Sequence, residues 1–144
     1  MYPARLDDKG RMKLPQTFMN YLNSLREKTL FVTSLDRSIA AIYPMASWRQ
    51  VEEFFSRYQE DPDAANDIRF NANDLGAEAE MDQQGRVGFS PELRRELGLE
   101  AKPLRIFSDK GKILVLTEEL YAARKERASQ NAQEKVRKLE AAGL

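Results

Sequence analysis

A short pattern occurs twice in this chain and constrains its fold more than any other feature: "LDDKGRMKLP", Leu6 to Pro15, and "MDQQGRVGFSP", Met81 to Pro91. Each copy has an acidic residue, two intervening positions, then Gly-Arg and an apolar residue, with 75 residues between equivalent positions. The correspondence runs on without a gap, pairing Leu6 with Met81, Asp7 with Asp82, Gly10 with Gly85, Arg11 with Arg86, Met12 with Val87, Leu14 with Phe89, Phe18 with Leu93 and Leu22 with Leu97. A match of this length in a chain of 144 residues implies a duplicated unit, with halves 1–75 and 76–144. Each half has few large apolar residues for a core of its own, so the two are expected to interlock around one core.

The motif has a direct local reading. Asp at the first position and Gly at the fourth suit a type I turn, so Asp7-Asp8-Lys9-Gly10 and Asp82-Gln83-Gln84-Gly85 each predict one. A strand follows, in which Met12 and Leu14 alternate with Arg11 and Lys13, and Val87 and Phe89 with Arg86 and Gly88. A short helix comes next. Phe18, Leu22 and Leu25 give its apolar face in the first half, and Leu93 and Leu97 in the second, where Ser90 fits the N-cap, Pro91 the first helical position and Gly98 the terminator. "TLFVTSLDRSIAAIYP" and "PLRIFSDKGKILVLT" then read as hairpins turning at Leu35-Asp36-Arg37-Ser38 and at Asp109-Lys110-Gly111-Lys112. Between the halves, Trp48, Val51, Phe55 and Tyr58 mark a helix after Pro44, packed on a sheet, and Ala65, Ile68, Ala72 and Leu75 a second one ending at Gly76. The segment from Thr117 to Leu144 reads as a charged helix with Leu120, Val136 and Leu139 as its large aliphatics, either solvated or in contact with another protomer.

Missing residue types exclude much chemistry. The chain has no cysteine and no histidine, which removes disulfides, thiolate zinc sites, a cysteine nucleophile and the commonest general base and metal ligand. No metal or cofactor is expected. Carboxylate catalysis by Asp7, Asp82 or the Glu52-Glu53 pair is disfavoured, because no glycine-rich phosphate loop or metal-ligand cluster supports it. Lys and Arg number 23 and Asp and Glu number 23, so DNA binding would need a local patch. Such a patch exists in Arg5, Lys9, Arg11 and Lys13, set against Asp7 and Asp8. No run approaches the roughly 18 to 20 apolar residues of a membrane span, and "MYPARLDDKGR" lacks the apolar core of a secretion signal; a cytoplasmic protein is expected.

The paired "DDKGR" and "DQQGR" turns, each leading into an apolar strand and a short helix, together with "IYPMASWRQVEEF", resemble the MraZ family of bacterial regulators over about residues 3 to 125. The resemblance implies an α+β, β-rich fold: two tandem swapped-hairpin repeats of the AbrB/SpoVT type, sharing a pseudo-symmetric barrel core with short flanking helices. It also implies a nucleoid-associated, sequence-specific DNA-binding regulator. Family members bind double-stranded tandem repeats upstream of the division and cell-wall gene cluster that contains their own gene, and assemble as ring-shaped homo-oligomers. Two departures stand out. Only "MYPAR" precedes the first motif, so the first strand is expected to be short, and "GFSP" moves the proline one position relative to "LPQ".

Arg11 and Arg86 are the candidate base readers, since an arginine on a rigid strand can donate two parallel hydrogen bonds to guanine, with Lys9 and Lys13 mainly on phosphate and Arg5 at the edge. The competing reading is structural: Asp7 with Arg11 and Asp82 with Arg86 form salt bridges that brace tight turns. On the motif alone the bracing reading outweighs the other, the resemblance reverses that order, and one arginine could do both. At the level of function, an antitoxin-like or protein-interaction scaffold of the same fold is the alternative to a transcription regulator.

Overall fold

The structure is a computed structural model that describes all residues, 1–144. In chain order the elements are β1 (Tyr2–Ala4), β2 (Arg11–Lys13), α1 (Gln16–Ser24), β3 (Thr29–Thr33), β4 (Ala40–Pro44), α2 (Met45–Arg57), α3 (Pro62–Leu75), β5 (Ala77–Glu80), β6 (Arg86–Gly88), α4 (Pro91–Leu97), β7 (Leu104–Asp109), β8 (Lys112–Thr117), α5 (Glu118–Ser129) and α6 (Ala132–Ala141). The architecture is α+β, with every strand pairing antiparallel. The same order of strand, turn, strand, helix and hairpin appears on either side of α2 and α3. The strand before each motif turn is short, three residues in β1 and four in β5.

The pairing crosses between halves. A six-stranded sheet runs β1-β7-β8-β4-β3-β5, and a separate two-stranded ribbon is made of β2 and β6. Exchanging equivalent strands, β1 for β5, β3 for β7 and β4 for β8, reads the order backwards onto itself. The short first strand of each half therefore satisfies its backbone groups on the other half's hairpin, β1 on β7 and β5 on β3.

Hydrogen bonding does not close a barrel, contrary to the expected barrel core; the sheets are open. The reason is local. The tight turn between β1 and β2 leaves only an isolated bridge, Leu6 with Met12, so no continuous ladder joins the ribbon to the sheet.

The main core lies between the ribbon, α1, α4 and the inner face of the sheet. It includes Met12, Leu14, Phe18 and Leu22 from the first half and Val87, Phe89, Leu93, Leu104 and Ile106 from the second, all buried. Strand alternation sends Ala40 and Ile42 of β4 into this core and Ala41 and Tyr43 into a smaller one under α2, so that both faces of β4 are buried. There Trp48 stacks on Phe31 with ring centroids 4.5 Å apart and lies 5.1 Å from Tyr43, as expected of an aromatic stripe packed on a sheet. Of the other stripe residues, Val51, Phe55 and Tyr58 are half-buried, and Tyr58 caps the helix.

Helix ends follow the chemistry of their caps. Ser90 Oγ accepts from Leu93 N, Pro91 occupies the first helical position, and Gly98 ends α4 in the left-handed region at φ 66°. Pro15 occupies the equivalent cap of α1 without a side-chain bond, so the shifted proline leaves both helices starting at equivalent positions, Gln16 and Pro91. The first hairpin loop is wider than the expected turn, spanning 34–39, because Asp36 Oδ1 accepts from Ser38 N and Ile39 N and organises a loop instead. The C-terminal segment is helical but breaks at Gln130 and Asn131, the latter at φ 53°, and buries no residue of α5 or α6. No helix is long and apolar enough to cross a membrane.

Candidate nucleic-acid interface

The two motif turns are built alike to within a few tenths of an ångström. In the first, Gly10 N donates to Asp7 O at 3.0 Å, and Asp7 Oδ1 accepts from Lys9 N and Arg11 N, each at 2.9 Å. In the second, Gly85 N donates to Asp82 O at 3.0 Å, and Asp82 Oδ1 accepts from Gln84 N at 2.9 Å and Arg86 N at 2.8 Å. One carboxylate oxygen thus fixes each loop's backbone. The other oxygen binds the arginine: Arg11 Nε lies 3.0 Å from Asp7 Oδ2 and Arg86 Nε 2.8 Å from Asp82 Oδ2.

These contacts set the charge state. The backbone N–H of Arg11 holds the Asp7 carboxyl below its ordinary range, partly opposed by burial and helped by Lys9 N and the Arg11 side chain. Asp82 is lowered in the same way, first by Arg86 N, against a smaller opposing effect of burial, and then by the Arg86 side chain. Gly10 and Gly85 sit at φ 76° and 81°, where the left-handed region favours glycine. Each is covered from the other half. A Cβ on Gly10 would fall 1.5 Å from Arg94 Nη1, and one on Gly85 2.4 Å from Met19 Sδ, and Met19 and Arg94 are themselves equivalent positions.

The ribbon brings the turns together. Its register pairs Arg11 with Gly88, Met12 with Val87 and Lys13 with Arg86. Leu14 N donates to Gly85 O at 2.8 Å and Phe89 N to Gly10 O at 2.9 Å, so each strand also fastens the opposite turn. Met12 and Val87 are fully buried, which leaves Arg11, Lys13, Arg86 and Gly88 on the outer face.

All five predicted cationic positions can be located, but they are not one basic stretch. Arg5 is separate, its Nη1 donating to Ala101 O at 3.3 Å. Lys9 is exposed on the first turn, and its side chain makes no hydrogen bond within the chain. Lys13 crosses the ribbon, its ammonium donating to the carbonyl of Gln84 in the second turn. The salt bridges predicted by the bracing reading are present, yet they use only Nε; the terminal nitrogens of Arg11 and Arg86 make no hydrogen bond within the chain.

Sequence reading missed Arg37. At φ 61° it bonds Asn71 Oδ1 at 2.7 Å, Asp74 Oδ2 at 2.9 Å and Glu96 Oε2 at 2.7 Å, tying the first hairpin loop to α3 and α4. A non-glycine residue flanked by Asp and Ser in a turn was the available signal; its partners lie 34 to 59 residues away.

The chain is therefore an α+β protein of two copies of one turn-strand-helix-hairpin unit, presenting paired arginine turns on a common ribbon. A family model described as "MraZ protein, putative antitoxin-like" matches residues 2–71. The chain is 36% identical over 95 residues to a "Transcriptional regulator MraZ" of Acidobacterium capsulatum, covering 66% of this chain and 64% of that protein. It is 34% identical to its namesake from Koribacter versatilis, covering 66% and 65%, and 36% identical to that from Thermomicrobium roseum, covering 69% and 67%. The alignments thus span about two thirds of each relative, and less than that in the first two. The chain belongs to the MraZ family.

Proposed function

We propose that this chain is a sequence-specific transcription regulator that binds double-stranded DNA through the outer face of the β2–β6 ribbon. The observation that carries the reading is the free pair of terminal nitrogens on each motif arginine, held on a rigid two-stranded ribbon by an aspartate that occupies Nε alone. A two-stranded ribbon fits the major groove of B-DNA, and two parallel donors match O6 and N7 of guanine. Arg11 and Arg86 are the base readers, Lys9 meets phosphate and Arg5 lies at the edge. Asp7, Gly10, Asp82 and Gly85 shape the turns.

The pairing of each half's first strand with the other half's hairpin supports tandem swapped-hairpin repeats of the AbrB/SpoVT type, bounded at 1–75 and 76–144. The relatives' names, and what membership of the family implies, support targets in tandem repeats upstream of its own operon in the division and cell-wall cluster, bound in the cytoplasm at the nucleoid. A neutral protomer with one small basic face engages few phosphates, so repetition of that face around a homo-oligomeric ring supplies the missing avidity.

Gel shifts with the gene's own upstream DNA test this reading. Arg11→Ala or Arg86→Ala is expected to cost on the order of 1 to 3 kcal/mol of binding and to relax sequence preference, with the fold intact by circular dichroism. Equal binding by both variants and the parent would leave the arginines a bracing role only. A second reading, an antitoxin-like or protein-interaction scaffold, draws on the charged C-terminal helices, which bury no residue and of which only the first turn of α5 packs on the sheet, through Glu118 and Tyr121 against Arg105; it predicts that removing residues 132–144 abolishes partner capture and leaves DNA affinity unchanged.

A further inference from the structure

The relation that carries Arg11 onto Arg86 also carries Lys13 onto Gly88, and here the two halves differ. Lys13 stands opposite Arg86, donates to the Gln84 carbonyl inside the second turn, and has Met19 Sδ 3.6 Å from its ammonium. Gly88 stands opposite Arg11 and supplies no such arm to the first turn. Packing does not demand glycine there, since a Cβ would meet no heavy atom within 4 Å. The lysines nevertheless balance. Lys9 occupies the turn position that Gln84 holds in the second half, so each arginine has one lysine companion. One is free on its own turn; the other is tied across the ribbon.

We propose that Lys13 is the positioning residue of the second turn and not a phosphate contact. From the first half's strand it clamps the 82–85 loop, which through Asp82 fixes Arg86. The first turn shares the backbone fastening, Phe89 N to Gly10 O, but lacks a side-chain clamp, so it keeps Lys9 for phosphate and leaves Arg11 more adaptable than Arg86. The ribbon meets DNA with polarity, one end fixed and the other compliant. This rests on the DNA-facing reading of the ribbon.

The measurement is the salt dependence of binding to the upstream DNA, with base preference scored by single substitutions in the site. Lys9→Ala should reduce the slope of log K against log salt by about 0.9 and leave base preference as it was. Lys13→Ala should keep the slope and lose roughly tenfold in discrimination at the base read by Arg86, about one hydrogen bond's worth. Its effect should vanish when Arg86 is already alanine and persist in full when Arg11 is, because coupled residues are non-additive. Lys13→Arg keeps a donor and should restore discrimination, which separates positioning from general damage to the fold. Gly88→Lys should sharpen preference at the base read by Arg11. A slope change in Lys13→Ala equal to that of Lys9→Ala, or additivity with Arg86→Ala, overturns the proposal while leaving DNA binding itself in place. If the parent does not bind the DNA at all, the DNA-facing reading fails and this assignment falls with it.

Discussion

The first and second motif turns share a backbone and differ in what covers them. Each has an aspartate whose one oxygen takes two backbone N–H groups and whose other takes an arginine Nε. Over the glycine lies a guanidinium in one case and a thioether in the other. The comparison separates what the fold needs from what it tolerates. The loop frame depends on atoms whose geometry has no substitute, whereas the cover has only to fill space above a glycine. The dependence is mutual, since Arg94 and Met19 each come from the half that does not own the turn.

The harshest way to break the comparison is to remove one half. A fragment ending at Leu75 leaves β1, β2, β3 and β4 without β7, β6, β5 and β8, exposing backbone donors and acceptors on all four. It should show no cooperative thermal transition, whereas the full chain should unfold in one step. A fragment melting on its own, with native-like circular dichroism, would make the halves independent units.

Next in size are the glycines. Gly10→Ala and Gly85→Ala each force a side chain into the left-handed region, at about 1 to 2 kcal/mol, and displace Arg94 or Met19 as well. Both covers are flexible side-chain ends, so the two losses in urea unfolding should agree to within about 1 kcal/mol. Unequal losses would show that one cover is part of the frame.

Acid acts on both turns at once. Asp7 and Asp82 both titrate below their ordinary value in the folded chain, chiefly because an arginine backbone N–H donates to each. A carboxyl lowered by folding contributes stability that is fully present above its unfolded value and disappears as pH falls through its folded one. Stability from the turns should thus be constant through neutral pH and decline together only below about pH 4. Amide exchange at Arg11 and Arg86 reports the two separately, and opening of one turn at a distinctly higher pH would break their equivalence.

Much of this was legible in sequence because its causes are local. The Asp-x-x-Gly turns, the Ser90-Pro91 start and Gly98 end of α4, and the apolar face of α2 each depend on neighbours within a few positions. The covers were not legible, since nothing in "FMNYL" or "ELRREL" indicates that Met19 and Arg94 lie over the other half's glycines. The reach of Lys13 was hidden for the same reason. Arg11 and Lys13 are two apart on one strand and share a face, but antiparallel register delivers Lys13 to the second turn. The barrel expectation failed where ladder continuity depends on residues between strands, which periodicity does not report.

The smallest expected effect is also the sharpest test of what a cover must be. Arg94 is mostly buried, and its Nε finds no hydrogen-bond partner although Glu100 Oε1 lies 3.4 Å away; the carboxylate is near enough to attract the charge but not aligned to accept the proton. An unpartnered buried donor costs free energy that an apolar side chain of similar length does not, and methionine already does this job over Gly85. Arg94→Met should therefore leave stability within about 1 kcal/mol of the parent or above it. The reciprocal change is not neutral. Met19→Arg would bring a second cation to the Lys13 ammonium, now 3.6 Å from the Met19 sulfur, and should destabilise the second turn, more at low salt than at high. If Arg94→Met instead lost as much stability as Gly10→Ala, the guanidinium would be part of the first turn's frame, and the two turns would be held by different chemistry despite their shared backbone.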